Sequence, residues 1–145
     1  MVIGIGNLLR CDDGAGIHLV NTLKETNPDL DAFDLAMGSI DLIEHLMGYE
    51  RAYIVDAVKT GNKPGTIFKI EFSKGENLPT IHSSHGIDLF TTLRLAEELY
   101  GDELPREIIV YGIEAKDIIS LKMECTEPVK EALKIVTKKI LSELN

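Results

Sequence analysis

Residues 1–16 read MVIGIGNLLRCDDGAG and give the first indication of the fold. The apolar run at residues 1–6 ends in glycine, which is typical of a buried strand followed by a tight turn. From residue 13 to about residue 25 the apolar positions change to a helical spacing. One face of this predicted helix carries Gly16, Leu19, Val20 and Leu23. The stretch therefore predicts a strand, a glycine-rich turn and a helix.

The rest of the chain alternates between strand patterns and helix patterns. Further strands are predicted at LDAFDLA (30–36), RAYIVDAV (51–58), GTIFKIEF (65–72) and REIIVYGIE (106–114). Further helices are predicted after Ser39, over residues 86–100, and after Thr126 with Pro128 in the first turn. This alternation predicts an α/β fold, a three-layer α/β/α domain with a mostly parallel sheet.

One strand of this sheet is expected to run against the others. GTIFKIEF alternates between polar and apolar residues, which is typical of a half-exposed edge strand. About half a dozen residues separate it from RAYIVDAV, and a parallel crossover needs about a dozen. We therefore expect this strand to be antiparallel.

Composition limits the partners and the compartment. The 145 residues suit a single domain over 1–145, and the formal net charge of -9 disfavours nucleic acid and anionic membranes as partners. No apolar run approaches the roughly 20 residues that span a bilayer, and no signal peptide is expected. Two cysteines without metal-finger spacing indicate a reducing compartment, so we expect a cytoplasmic protein.

Polar residues at the carboxyl ends of the predicted strands indicate where chemistry occurs. Ligands of open α/β sheets bind at this edge. Asp13 follows the first strand, Asp56 lies near the end of the third, and His85 precedes a helix in IHSSHGIDL. If the first and third strands are neighbours, the two carboxylates face one crevice. Two carboxylates and an imidazole suit zinc or nickel, although they could instead perform acid–base chemistry.

Each candidate also has a structural interpretation. Asp12 or Asp13 could be the N-cap of the first helix, and His85 could be an ordinary loop histidine. A buried carboxylate at Asp56 is costly and therefore favours a functional role. A phosphate loop is disfavoured because the third glycine of a dinucleotide fingerprint and a Walker lysine are missing. We assign structural or surface roles to Cys11, Cys125, His18, His45 and His82.

Several motifs together resemble those of the hydrogenase maturation proteases. GIGNLLRCDDGAGIHLV, YIVDAV and SSHGIDL follow one another in the order and spacing of that family. NKPGTIFKI, YGIEAKDI and TEPVKEAL also resemble later segments of the family, so the resemblance covers nearly the whole chain. It implies a five-stranded sheet with one antiparallel strand.

The resemblance also implies an activity. Family members are endopeptidases, classed as aspartyl-type, that remove a C-terminal extension from the large-subunit precursor of [NiFe]-hydrogenase after nickel insertion. Three family metal positions fall on Asp13, Asp56 and His85, and the nickel they contact is expected to be supplied by the precursor. Asp13 and Asp56 are also the candidate catalytic residues, and no nucleophile is assigned. We expect a monomer whose partner is this precursor.

Two departures from the family keep other interpretations open. Ala36 stands where relatives often have an aspartate, which favours an alternative in which the chain binds metal or precursor without cleaving it. Ala115 stands where the family commonly has proline, a change expected to affect a loop. A third class, a nucleotide-binding α/β domain, is disfavoured because the aspartates lie where a phosphate would have to bind.

Overall fold

The computed structural model describes residues 1–36, 40–72 and 89–144. Within them, five strands form one sheet in the order β2-β1-β3-β5-β4. The strands are β1 Val2–Ile5, β2 Ala32–Leu35, β3 Arg51–Val58, β4 Ile67–Phe72 and β5 Glu107–Glu114. The helices are α1 Ala15–Thr26, α2 Ile40–Leu46, α3 Leu89–Tyr100 and α4 Glu127–Leu144. Two 3-10 turns, Cys11–Gly14 and Gly101–Glu103, complete the regular structure of these residues.

The sheet is parallel except at one edge. β1 pairs in parallel with β2 and β3, and β3 pairs in parallel with β5 along its whole length. β4 pairs with β5 in the antiparallel sense and forms the edge of the sheet. The predicted α/β class, the antiparallel edge strand and the neighbouring positions of the first and third strands are therefore confirmed.

Two apolar cores lie on opposite faces of the sheet. α1 and α4 pack on the face that carries Tyr53 and Val55 of β3, whereas α2 and α3 pack on the face that carries Ala52 and Ile54. This alternation is the period of two that every strand imposes on its side chains. The result is the predicted three-layer arrangement, with the carboxyl ends of β1, β3 and β5 along one edge. No helix among the described residues is long and apolar enough to cross a membrane.

The helix boundaries differ from the prediction in places. α1 begins at Ala15 and not at Asp13, because residues 11–14 form a 3-10 turn before the helix. The helix predicted over residues 86–100 ends at Tyr100, as observed, and this residue is 40% exposed. Ser39, after which a helix is predicted, and residues 86–88 lie outside the described residues. α4 begins directly after Thr126, as predicted.

Two glycines let the first turn lie directly against the sheet. Gly6 has a φ of 149°, and a Cβ there would come 2.0 Å from the carbonyl oxygen of Asp13. A Cβ on Gly16 would come 2.3 Å from the carbonyl oxygen of Val55 and 2.7 Å from that of Ile5. Side chains at either position would therefore push the turn and α1 away from β1 and β3.

The Gly16→Ala variant is expected to lose more than about 3 kcal/mol of unfolding free energy, because the added methyl overlaps backbone atoms that cannot rotate away. Urea denaturation measures the loss. Gly48→Ala is the matched control, since a Cβ there meets nothing within 4 Å and the cost is only the strain of its φ of 88°, about 1–2 kcal/mol. Equal losses for the two variants would contradict the close packing of α1 on the sheet.

Candidate functional site

Buried charge is concentrated at one edge of the sheet. Within residues 1–36, 40–72 and 89–144, the buried charged side chains are Asp12, Asp13, Asp56 and Glu114, each 2% exposed or less. The first two follow β1, the third lies near the end of β3, and the last ends β5. Because a buried carboxylate is costly without compensating contacts, this clustering needs an explanation for each member.

Asp12 is engaged by the backbone of distant segments. Its Oδ2 accepts hydrogen bonds from the amides of Lys116 and Asp117, at 2.8 and 2.9 Å. Its Oδ1 accepts one from the amide of Thr126 at 2.7 Å, and the Thr126 hydroxyl also lies 2.9–3.0 Å from both oxygens. Asp12 therefore ties the first turn to the segment after β5 and to the start of α4.

This geometry corrects the capping alternative for the first helix. The N-cap position of α1 is Gly14, and no side chain caps it by a hydrogen bond. Asp12 directs its carboxylate to the other end of the chain, and Asp13 lies inside the 3-10 turn. The alternative in which one of the two aspartates caps α1 is therefore wrong.

Glu114 has a similar anchoring role that the sequence analysis missed. Its carboxylate accepts hydrogen bonds from the amides of Thr60, at 3.0 Å, and Asn62, at 3.2 Å, and from the Thr60 hydroxyl. These contacts hold the connection between β3 and β4 against the end of β5. The only signal in the sequence was an acidic residue closing a buried strand, which does not indicate its distant partners.

Asp13 and Asp56 belong to neighbouring elements at the same edge. Cα atoms of the 3-10 turn that contains Asp13 lie within 8 Å of Cα atoms of β3. In β3, Asp56 lies one residue beyond the last residue paired with β1 and opposite Gly112 of β5. The structure thus places the two predicted residues in adjacent elements at one edge of the sheet.

Asp56 faces the side of the sheet covered by α3. It lines a narrow cavity of about 10 Å³. The other described lining residues are Val58, Ile70, Leu89, Phe90, Val110 and Gly112. A carboxylate in such an apolar lining interacts strongly with a cation that reaches it, because the local dielectric constant is low.

The third predicted ligand, His85, lies outside the described residues, as does His82. Within the described part of the chain, no three His, Cys, Asp or Glu side chains group closely enough to hold a metal ion. The proposed trio of Asp13, Asp56 and His85 therefore stays a prediction. His85 precedes Leu89, the first described residue of α3, by four positions in the sequence.

The two cysteines are buried and stay protonated. Burial, followed by the negative charge of Asp12, raises the pKa of the Cys125 thiol to about 12 and also raises the pKa of Cys11. The nucleophilic form of cysteine is the thiolate, which these shifts suppress at neutral pH. The predicted structural role of both residues agrees with this burial.

The two described histidines lie on helices, as predicted. The His18 Nε2 on α1 is 2.6 Å from the Met123 carbonyl oxygen, and the His45 Nδ1 on α2 is 2.7 Å from the Asp41 carbonyl oxygen. A ring nitrogen at such a distance from a carbonyl oxygen carries the proton. These contacts give both histidines local structural roles.

Comparison with known proteins identifies the relatives of this fold. A family model described as "Hydrogenase maturation protease" matches residues 17–143. The chain is 30% identical to the coenzyme F420 hydrogenase subunit delta of Methanothermobacter thermautotrophicus, over 99% of this chain and 93% of that protein. It is 27% identical to the hydrogenase expression/formation protein HoxM of Azotobacter vinelandii, over 92% of this chain. It spans 66% of that relative's length. It spans 65% of the length of HupM of Azotobacter chroococcum and 60% of that of HoxM of Cupriavidus necator.

Solved structures agree with the fold. The [NiFe] hydrogenase maturation protease HybD from Thermococcus kodakarensis superposes with a TM-score of 0.74 at 30% sequence identity. The superposition covers 99% of this chain and 96% of that structure. The resemblance found in the motifs of the sequence is therefore confirmed at the level of the whole fold.

Proposed function

The chain belongs to the hydrogenase maturation protease family, and from this premise we propose that it is an endopeptidase that processes a hydrogenase large-subunit precursor. In this proposal it removes the C-terminal extension after nickel has been inserted. Nickel is then part of the substrate, and Asp13, Asp56 and His85 contact it. The metal is the mark by which a loaded precursor is recognised.

The observation that carries the proposal is the pair of buried carboxylates in adjacent elements at one edge of the sheet, Asp13 in the turn after β1 and Asp56 near the end of β3. Carboxylate oxygens and a neutral imidazole nitrogen are suitable donors for a divalent cation of borderline softness. His85 is four residues from Leu89, which lines the cavity beside Asp56. Four residues extend at most about 14 Å, so the connectivity of the chain permits His85 to reach this edge.

The four buried carboxylates divide into two roles in this proposal. Peptide hydrolysis needs a group that accepts a proton from the attacking water and a group that returns a proton to the leaving amine. The oxygens of Asp12 and Glu114 are occupied by backbone amides, which makes these two residues anchors. We propose Asp13 and Asp56 for contact with the substrate because they lie at the sheet edge where ligands of open α/β folds bind and fall at the family's metal positions.

The experiment that tests this function is a cleavage assay on intact proteins. The chain is mixed with a purified nickel-loaded large-subunit precursor, and the mass of the precursor is followed by mass spectrometry. We expect a single loss of mass equal to the C-terminal extension. A precursor whose mass never changes, although the protein binds it, would replace the peptidase with the second candidate.

That second candidate is a precursor-binding protein without peptidase activity. The observation that favours it is Ala36, which occupies an exposed position directly after β2 where relatives often have an aspartate. If the wild type binds the precursor without cleaving it, an Ala36→Asp variant tests whether the missing carboxylate is the cause. It gains cleavage only if the missing carboxylate is the reason for inactivity.

A further inference from the structure

Four large apolar side chains are exposed beside the turn that contains Asp13. Leu9 is 59% exposed, Ile119 80%, Leu121 83% and Met123 57%, and we call these four residues the apolar patch. Large exposed apolar groups that lie together mark interaction surfaces more often than isolated ones do.

The two segments that carry the patch run side by side. Arg10 and Lys122 form a parallel β-bridge, and the amide of Cys11 donates to the carbonyl oxygen of Lys122 at 2.8 Å. Leu9 and Leu121 immediately precede the bridged pair, so they are neighbours on the surface. The patch is therefore continuous with the turn that places Asp13.

Hydrogen bonds fix the conformation of the segment that carries Ile119, Leu121 and Met123. The carboxylate of Asp117 accepts bonds from the amides of Ile119 and Ser120, both at 2.9 Å, and from the Ser120 hydroxyl at 2.6 Å. These bonds lower the pKa of Asp117 to about 2, so the turn keeps its acceptor at physiological pH. Asp12 anchors the start of the same segment. A surface held in this way loses little conformational entropy when a partner binds.

The patch is bordered by positive charge in an otherwise acidic protein. Arg10, Lys116 and Lys122 are exposed, and none forms an ion pair with another described residue. The chain as a whole has a formal net charge of -9. A partner surface of apolar side chains flanked by carboxylates complements both features.

We propose that the apolar patch is the docking surface for the folded body of the precursor, next to its C-terminal extension. This inference rests on the proposed function, which brings a precursor to Asp13. The precursor contributes apolar side chains that cover the patch, and its carboxylates face the three cations. Docking at the patch places the extension beside the buried carboxylates. The patch itself does not contact the extension.

A second copy of this chain is a poorer occupant for the same surface. A two-fold dimer would place the patch against itself and bring Arg10, Lys116 and Lys122 close to their own copies. Like charges at such an interface oppose association. The charge around the patch therefore favours an acidic partner over self-association.

The test compares precursor binding and cleavage for patch variants and matched controls. The double variant Ile119→Ser, Leu121→Ser is expected to raise KM for the precursor at least about tenfold and to leave kcat within about twofold, because it removes docking contacts only. Lys122→Glu is expected to weaken binding more at low salt than at high salt. The controls Leu99→Ser and Ile135→Ser change apolar residues that are 60% and 48% exposed on α3 and α4, and they are expected to change neither constant.

Each outcome separates this inference from the proposed function. Wild-type cleavage with an unchanged KM in the double variant overturns the docking surface and keeps the peptidase. If the wild type binds the precursor without cleaving it and the double variant binds it more weakly, the docking surface is kept and the peptidase is overturned. If the wild type does not bind the precursor at all, both proposals are overturned. If the wild type is a dimer and the double variant is a monomer, the patch is assigned to self-association instead.

Discussion

The Asp12→Ala variant is expected to have an unfolding free energy at least about 3 kcal/mol lower than that of the wild type. Its carboxylate is fully buried and accepts the amides of Lys116, Asp117 and Thr126 together with the Thr126 hydroxyl. Removing the acceptor leaves these donors unsatisfied, and each buried unsatisfied group costs about 1–3 kcal/mol. Urea denaturation followed by circular dichroism measures the change.

The control for this effect is an aspartate on the surface of the same sheet. Asp34 on β2 forms an exposed ion pair with Lys24 at 3.5 Å, so Asp34→Ala is expected to change stability by less than about 1 kcal/mol. If Asp12→Ala is no less stable than Asp34→Ala, Asp12 is not the anchor of the segment after β5.

The neighbouring Asp13→Asn variant is expected to behave in the opposite way. We expect precursor cleavage to fall at least about 100-fold, because the amide keeps the shape of the side chain and removes the charge that contacts a cation or accepts a proton. Stability is expected to stay within about 1 kcal/mol of the wild type, since Asn has the same shape as Asp and leaves no cavity. Initial cleavage rates and urea denaturation of the same preparation give both quantities.

Asp34→Asn controls for the loss of one negative charge, and it is expected to cleave at the wild-type rate. Retained cleavage in Asp13→Asn would remove Asp13 from the site. A cleavage loss accompanied by a stability loss as large as that of Asp12→Ala would instead make Asp13 a second structural anchor.

The sequence predicted the parts of the fold that local rules determine. β3 was predicted at its observed bounds because a continuous apolar run identifies a central strand. β4 was predicted to be antiparallel because the connection before it is too short for a crossover. The start of α1 was predicted two residues too early, since apolar spacing does not distinguish a 3-10 turn from the first turn of a helix.

The division of roles between the two adjacent aspartates was not predictable from the sequence. Asp12 finds its partners at Lys116 and Thr126, more than 100 residues away, and no local pattern reports such contacts. The anchoring role of Glu114 was missed for the same reason. By contrast, the position of the turn that contains Asp13 next to β3, which carries Asp56, follows from the strand order, which is why topology was enough to predict that these elements are neighbours.

The central claim is that the precursor's nickel is what the protein recognises before it cuts. The most direct measurement is the cleavage assay run in parallel on nickel-loaded and nickel-free forms of the same precursor, with the mass of each followed over time. The account predicts that the loaded form loses its C-terminal extension and that the nickel-free form stays intact. Cleavage of both forms at the same rate would contradict it.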